Sequence, residues 1–362
     1  LRRWLLAAVF AGSVGRRATR PVARANSDAP DDGSRITGEN RKVIRVLVAG
    51  AARHLGNQLA FSLAQDSMVE HLVAVDITQP KDPIGPGEFV RADIRNPVLT
   101  RIMQDHGINT VVHAGVLSTP LEQGGRSVMK EINVIGSMQL LAACRKVESI
   151  KHLVVKSTTA LYGASAKDPA FFTESTPAGR LPSSGFAKDS ADVESYVRTF
   201  ARHRPDVSVT TLRFANVLGP RVSTTLTNYF ELPVWPGILG YDPRLQFIHE
   251  EDLVKALHQS VLNPVAGTFN VAGEGAATLG QVAKIAGRPI AKFPPQLFSS
   301  TNGLLKRMGI VDLSREQLSL LKYGRVVDTS RARDLLNFVP THSSIDTFKN
   351  FASSRIRPLV SL

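Results

Sequence analysis

Two glycines, two acids and a run of hydroxyls are the residues whose types and spacing could do chemistry. Residues 43–56 read VIRVLVAGAARHLG. An apolar, β-branched run suited to a strand buried on both faces is followed by Gly50, a helix start at His54, and Gly56. The first glycine permits a tight turn and the second lets a helix pack close to a strand. The N–H groups at the start of that helix point at an anion such as a pyrophosphate. Taken alone, the pair is also what an ordinary strand–helix turn contains. Acids then end the next strands. Residues 71–76 close on Asp76, 26 residues after Gly50, where a carboxylate accepts the hydroxyls of an adenosine ribose. The next basic residue is Lys81, so no cation follows to neutralise a 2′-phosphate, and NAD is expected over NADP. Residues 89–94 carry Asp93. Residues 110–115 end in His113, Ala114 and Gly115, small enough at the end to let a ring approach the backbone. Residues 151–156 lead into Ser157, Thr158 and Thr159, hydroxyls at the strand end that faces a ligand crevice in open α/β sheets.

These groups need a scaffold that brings strand ends together. Helical periodicity over 54–64, 102–106, 128–147 and 187–203 alternates with the strands above and with a sixth at 207–214. That alternation predicts an α/β fold, a doubly wound parallel sheet of the Rossmann type. With 362 residues, 43% hydrophobic and 21% charged, the chain can bury a large core, as one big domain or two intimate ones. The single cysteine, Cys144, excludes an internal disulfide and a thiolate metal cluster, and its apolar helical context predicts a buried thiol. No histidine spacing forms a zinc motif, so no metal is expected, and His113 and His249 read as structural.

The formal charge of +13 is uneven: residues 1–45 hold ten basic and four acidic residues, +6 of the total. The remainder is a solvated face or an aid to binding an anionic substrate. Basic and aromatic residues are not interleaved as nucleic-acid binding requires, so no nucleic-acid partner is expected. Residues 1–40 read as a basic leader and linker, disordered and outside the fold. Arg2-Arg3 ahead of the apolar run Trp4 to Phe10, with Ala23-Arg24-Ala25 after it, weakly resembles a twin-arginine export signal. A basic arm or a start site placed upstream explains the same residues, and a cytoplasmic protein is expected. The apolar run is too short to span a bilayer.

The motifs in order resemble the extended short-chain dehydrogenases/reductases, the NAD-dependent epimerase/dehydratase group, over roughly 43–351. The pieces are Gly50-Ala-Ala-Arg-His-Leu-Gly56, Ala-Asp93-Ile-Arg, Val-Val-His113-Ala-Gly, Asn133-Val-Ile-Gly136, Ser157-Thr158-Thr-Ala-Leu-Tyr162-Gly163, Lys188, Arg213-Phe-Ala-Asn216-Val-Leu-Gly219-Pro220 and Phe247-Ile-His249-Glu-Glu-Asp252. The resemblance implies a domain over 41–362 with a small, discontinuous C-terminal substrate domain from about 165–185, 220–245 and 275–325. It implies NAD held by Gly50, Arg53, His54, Leu55 and Gly56 at the first turn. Asp76, Asp93 and Ile94 follow, then His113, Ala114, Lys188 and Ala215. It places Ser157, Thr158 and Asn216 at the substrate. The implied chemistry is hydride transfer at a sugar carbon, in which a tyrosine acts as acid/base, a lysine four residues later lowers its pKa and holds the nicotinamide ribose, and a Ser/Thr orients the substrate hydroxyl. The Ser/Thr is Thr158 and the lysine is Lys188.

The chain departs from that pattern. The tyrosine position is Ser184, whose hydroxyl titrates far above a phenol and makes a poor base, so Thr158, Lys188 and Ser184 form an atypical catalytic set. The middle glycine of the turn is Arg53, which either clashes with the pyrophosphate or pairs with it from outside. Thr159-Ala160 stands where dehydratases of the family carry Asp-Glu, disfavouring dehydration. Leu245, with Arg244 beside it, stands where sugar-nucleotide enzymes place an arginine on the phosphates. Two functions remain: an NAD-dependent epimerase or oxidoreductase acting on a nucleotide-sugar or related hydroxylated substrate, and an NAD-binding sensor or assembly protein without catalysis. The family implies a homodimer, here through 128–147 and 187–203.

Overall fold

A computed structural model describes residues 43–118, 125–176, 185–296 and 313–357. The leader at 1–40 and Ser184 lie outside the described residues. Seven strands form one parallel sheet: β1 Ile44–Ala49, β2 Val69–Asp76, β3 Glu88–Arg91, β4 Thr110–His113, β5 His152–Thr158, β6 Ser208–Phe214 and β7 Gly267–Val271. Their spatial order is β7-β6-β5-β4-β1-β2-β3. The order reverses between β1 and β4, and crevices form at the carboxyl ends of strands where it does so. The doubly wound sheet is therefore as the alternation predicts.

Alternate residues of each strand enter different cores, because side chains of a strand point to opposite faces. Val46, Val48 and Val112 pack with Leu59 and Leu253 on one face. Leu47, Val73 and Val111 pack with Leu99 and Phe200 on the other. The first face is covered by α1 (His54–Ala64) and by the helix Glu250–Leu262. The second is covered by α2 (Val98–Asp105) and by a long helical stretch comprising α3 (Gly125–Lys130), one π-helical turn (Glu131–Gly136) and α4 (Ser137–Lys146), with α5 (Gly185–His203) beside it. Cys144 lies in this core, and burial pushes its thiol up to about 12.

Some boundaries move. β3 ends at Arg91, so Asp93 sits in the following turn, its carboxylate bound by Arg95. α5 starts at Gly185, which at φ +76° takes a conformation open to glycine. A third core lies apart from the sheet, where Tyr229, Phe230, Trp235, Phe247, Phe348 and Phe351 pack edge to face. Short ladders bring its segments together. Trp235–Ile238 runs parallel to Ile290–Phe293, and Arg244–Leu245 runs antiparallel to Ala277–Thr278. Among the described residues no helix is long and apolar enough to cross a membrane.

Candidate active site

The site starts at the β1–α1 turn. Gly50 has φ +96°, and its N–H donates to Val75 O at 3.0 Å. A Cβ at Gly50 would overlap the Gly115 backbone, and one at Gly56 would overlap the Gly50 carbonyl. Both glycines are therefore required by close backbone approach. Arg53 is the N-cap of α1 but makes no side-chain cap bond, and the first turn holds no acid. A helix start with unpaired N–H groups and a positive dipole end fits a pyrophosphate. The Arg53 carbonyl accepts Asn57 N–H at 2.8 Å, but its exposed side chain forms no hydrogen bond or ion pair among the described residues, which leaves the guanidinium, near Asp76, able to meet that anion from outside the turn. Leu55 packs inward on the first core, and His54 Nε2 bonds Glu250 Oε2 at 2.7 Å. The histidine thus ties α1 to its neighbouring helix.

Asp76 ends β2 beside this turn. Its Oδ2 accepts Ala52 N–H at 3.0 Å and its Oδ1 accepts Ile77 N–H at 2.8 Å, which aims the carboxylate along the loop and leaves lone pairs for a ribose. Arg91 of β3 donates to Ile77 O at 2.9 Å, a cation beside the strand end that the linear spacing to Lys81 overlooks. Asp93 is bound by Arg95, which holds its carboxyl below the usual range, and Ile94 packs against Gly136. Ala114 N–H donates to Ala49 O and Ala215 N–H to Val271 O, fixing the small residues of the crevice floor. His113 is buried, 2.6 Å from Ser137 Oγ, and burial pushes it down to about 4, so it is neutral at pH 7. Asn133 accepts Leu117 N–H and donates to Leu117 O, the backbone-organising role its position suggests.

Across the sheet, Thr158 ends β5. Its Oγ1 accepts Ala160 N–H at 3.1 Å, which leaves the hydroxyl proton for a ligand. Ser157 points the other way. Expected at the substrate, its hydroxyl instead donates to Glu194 Oε1 at 2.6 Å, because neighbouring strand residues face opposite sides. Glu194 is also gripped by Arg213 Nε at 2.9 Å and Nη2 at 2.6 Å. Arg213 donates in turn to Tyr162 Oη, which donates to Asn270 Oδ1, both at 2.8 Å. Burial raises the Tyr162 phenol, so it is a locked neutral group and no substitute for the missing tyrosine. Lys188, half-buried on α5, pairs with Asp192 one turn on. Asn216 is half-buried, its amide toward Gln246 O.

Several groups here were missed by the sequence reading. Lys156 lies on β5 two residues before Thr158, its ammonium donating to Val116 O at 3.3 Å, and burial lowers it to about 8. A lysine inside an apolar strand run was the available clue. The second group surrounds the start of α5. Arg126 donates to Gly185 O at 2.8 Å and to the buried Asp189 at 2.6 Å. Arg325 donates to Gly163 O at 3.0 Å. Glu316 stands over Gly185, where an added Cβ would meet its Oε1 at 2.5 Å and Oε2 at 2.7 Å. Burial raises the Glu316 carboxyl above its usual range, and the Ala187 N–H, which donates to it, opposes that rise, followed by Arg126 and Arg325. Arg126 Nη1, Glu316 Oε1 and Arg325 Nε are buried without a hydrogen-bond partner among the described residues. Such unmet capacity at a strand-end crevice suits a polar ligand. Leu245 is fully buried in the third core, so Arg244 points outward to Ala170 O.

A groove of about 620 Å³ runs between α1 and Glu250–Leu262. In it His258 bonds Ser62 Oγ at 2.7 Å and Asp66 Oδ2 at 2.9 Å. Ser62 sits inside α1, where the N–H groups are committed to the helix, so this relay lacks an oxyanion hole and serves to clasp two helices.

A family model described as the NAD dependent epimerase/dehydratase family matches residues 46–272. The chain belongs to this family. Its cofactor is therefore NAD, and the glycine cradle, uncapped α1 and Asp76 carboxylate fit it. An uncharacterized protein of Mycobacterium tuberculosis is 42% identical over 320 residues, 87% of this chain and 85% of that one. The UDP-glucose 4-epimerase of Yersinia enterocolitica is 27% identical over 219 residues, 55% of this chain and 57% of that one. Among solved structures, dTDP-glucose 4,6-dehydratase of Bacillus anthracis in complex with NAD superposes with a TM-score of 0.65 at 17% identity, over 86% of this chain and 96% of that one. UDP-glucose 4-epimerase of Thermotoga maritima superposes with 0.62 at 20%, over 86% and 98%. These likenesses carry the fold.

Proposed function

We propose that the protein is an NAD-dependent epimerase or oxidoreductase acting on a nucleotide-sugar or related hydroxylated substrate. The observation that carries this reading is the Arg126–Glu316–Arg325 cluster, with hydrogen-bonding capacity to spare, between the start of α5 and the turn that follows Thr158. Relatives named as UDP-glucose 4-epimerase and dTDP-glucose 4,6-dehydratase support a nucleotide-sugar as the substrate class. Thr159-Ala160 in place of two acids favours epimerisation or oxidation over dehydration.

When bound, NAD accepts a hydride from a carbinol carbon and can return it. The chain's own residues do the rest. Asp76 accepts the ribose hydroxyls, and Arg53 pairs with the pyrophosphate. Thr158 donates its free hydroxyl proton to the substrate oxygen. Lys188 is held by a half-exposed one-turn ion pair with Asp192, a modest restraint, and turns from it to the nicotinamide ribose. Serine at position 184 cannot take a proton near neutral pH, and a carboxyl raised by burial can, so Glu316 carries the proton.

The test is turnover of UDP- and dTDP-sugars by the full chain, followed by chromatography of the sugar and by reduction of bound NAD. Wild type is expected to form an epimer or oxidised sugar. Glu316→Gln should lower kcat by about 10²–10⁴-fold while NAD affinity holds, the usual weight of acid–base catalysis. It should also remove a pH limb above the normal carboxylate range. NAD binding with no reaction on any sugar, in wild type and variant alike, would favour the non-catalytic sensor or assembly reading.

A further inference from the structure

We propose that His71, Glu88 and His106 form a site for a divalent ion of the zinc class, at the end of the sheet opposite the cofactor. The three arrive from separate elements: His71 near the start of β2, Glu88 as the first residue of β3, and His106 at the end of α2. His71 Nε2 and His106 Nδ1 are 3.1 Å apart, and Glu88 Oε2 lies 3.7 Å from the first and 3.6 Å from the second. A point equidistant from these atoms lies about 2.0 Å from each, the bond length zinc takes with nitrogen and oxygen.

The imidazole planes lie within 13° of each other with centroids 5.3 Å apart, so the two nitrogens face across a gap that one shared proton fills when no ion is bound. A metal replaces that proton, which moves to the other nitrogen of the same ring. Both imidazoles must be neutral to coordinate. Arg45 does not compete for the carboxylate: its Nη1 pairs with Glu70 at 2.7 Å, and its Nε holds His106 O at 2.8 Å, fixing the turn that carries the ligand. Glu88 is half exposed, so water can complete a fourth position. Two imidazoles and one carboxylate select zinc, cobalt or nickel over magnesium and calcium, which need more oxygen ligands.

A second cluster, His249, Glu251 and His342, also brings three donors within reach. Its rings stack face to face at 4.0 Å, His249 Nδ1 accepts Glu251 N–H, and Asp252 holds His342 Nδ1. Those nitrogens are already committed. The bound ion at the first cluster would pin edge strand β3 and α2 to β2, a structural clamp.

The test uses full-length protein stripped by chelator. Equilibrium dialysis should find one zinc per chain at micromolar concentration, zinc should raise Tm by several degrees where magnesium does not, and cobalt should show the d–d absorption of a low-coordinate N/O site. Glu88→Gln and His106→Gln should each weaken zinc binding about tenfold or more, with NAD binding at the far end retained as proof of folding. No zinc bound by wild type, binding unchanged in both variants, or binding lost in His342→Gln instead, would overturn the assignment.

Discussion

At the scale of single residues, the site divides into groups fixed by backbone geometry and groups fixed by charge. Asp76 belongs to both: two N–H groups aim its carboxylate, and its charge is the feature proposed to select the ribose. Asp76→Ala should weaken NAD by about 1–3 kcal/mol, the range for a lost charged hydrogen bond, measured by calorimetric titration. NADP should bind wild type far more weakly than NAD, and equal affinity would refute the role of Asp76. His113 gives a pH signature. Its folded pKa, pushed down to about 4 by burial, lies below its unfolded value of 6.5. The unfolded chain takes up a proton between these values and the folded chain does not, so stability falls as pH drops from 6.5 toward 4. The loss is on the order of 3 kcal/mol. His113→Gln should flatten that slope in denaturant titrations, whatever it costs at neutral pH.

At the scale of elements, the β1–α1 unit does most to position the cofactor. α1 approaches β1 so closely that the Gly50 carbonyl occupies the space of any side chain at position 56. Gly56→Ala must push the helix away, at about 1–3 kcal/mol of stability, and it moves the N–H groups that face the pyrophosphate. Calorimetry and NAD titration should both register it. Arg53, one residue before the helix, shows how an element tolerates a departure from its pattern. With β-region φ −91° and ψ 151°, it needs no glycine, and its exposed side chain leaves the turn open. The chemistry proposed at the start of α5 depends on a different kind of contact. Glu316 belongs to the helix Arg315–Tyr323, distant in sequence, and arrives only when the third core folds.

At the scale of the molecule, Asp76 and Thr158 both end strands of one parallel sheet, so the proposed cofactor and substrate groups share its carboxyl edge, with the proposed metal clamp at the other end. The proposal of a homodimer through 128–147 and 187–203 is supported by Ile135 and Met138, whose apolar side chains are 40% and 37% exposed. Sedimentation should find a dimer, and Ile135→Glu with Met138→Glu should convert it to a monomer that keeps its fold. A monomeric wild type would remove that part of the proposal.

What the sequence by itself determined is local and periodic. The apolar run at 44–49, the glycines at 50 and 56, and the acid at 76 made the sheet, the turn and the cofactor legible, because each is a short-range consequence of backbone freedom and side-chain alternation. The sequence also showed that residue 184 is serine, and with it the absence of a phenol. What only the tertiary structure decided is which way a side chain faces and what meets it from afar. Ser157 and Thr158 are equal as hydroxyls in sequence, yet strand alternation sends one to Glu194 and leaves the other at the crevice. Tyr162 is a phenol four residues after Thr158, and only the structure shows that Arg213 and Asn270 lock it. Glu316 over Gly185, and the His71–Glu88–His106 triangle, join residues with no motif spacing, because packing and sheet register set those distances and chain separation does not.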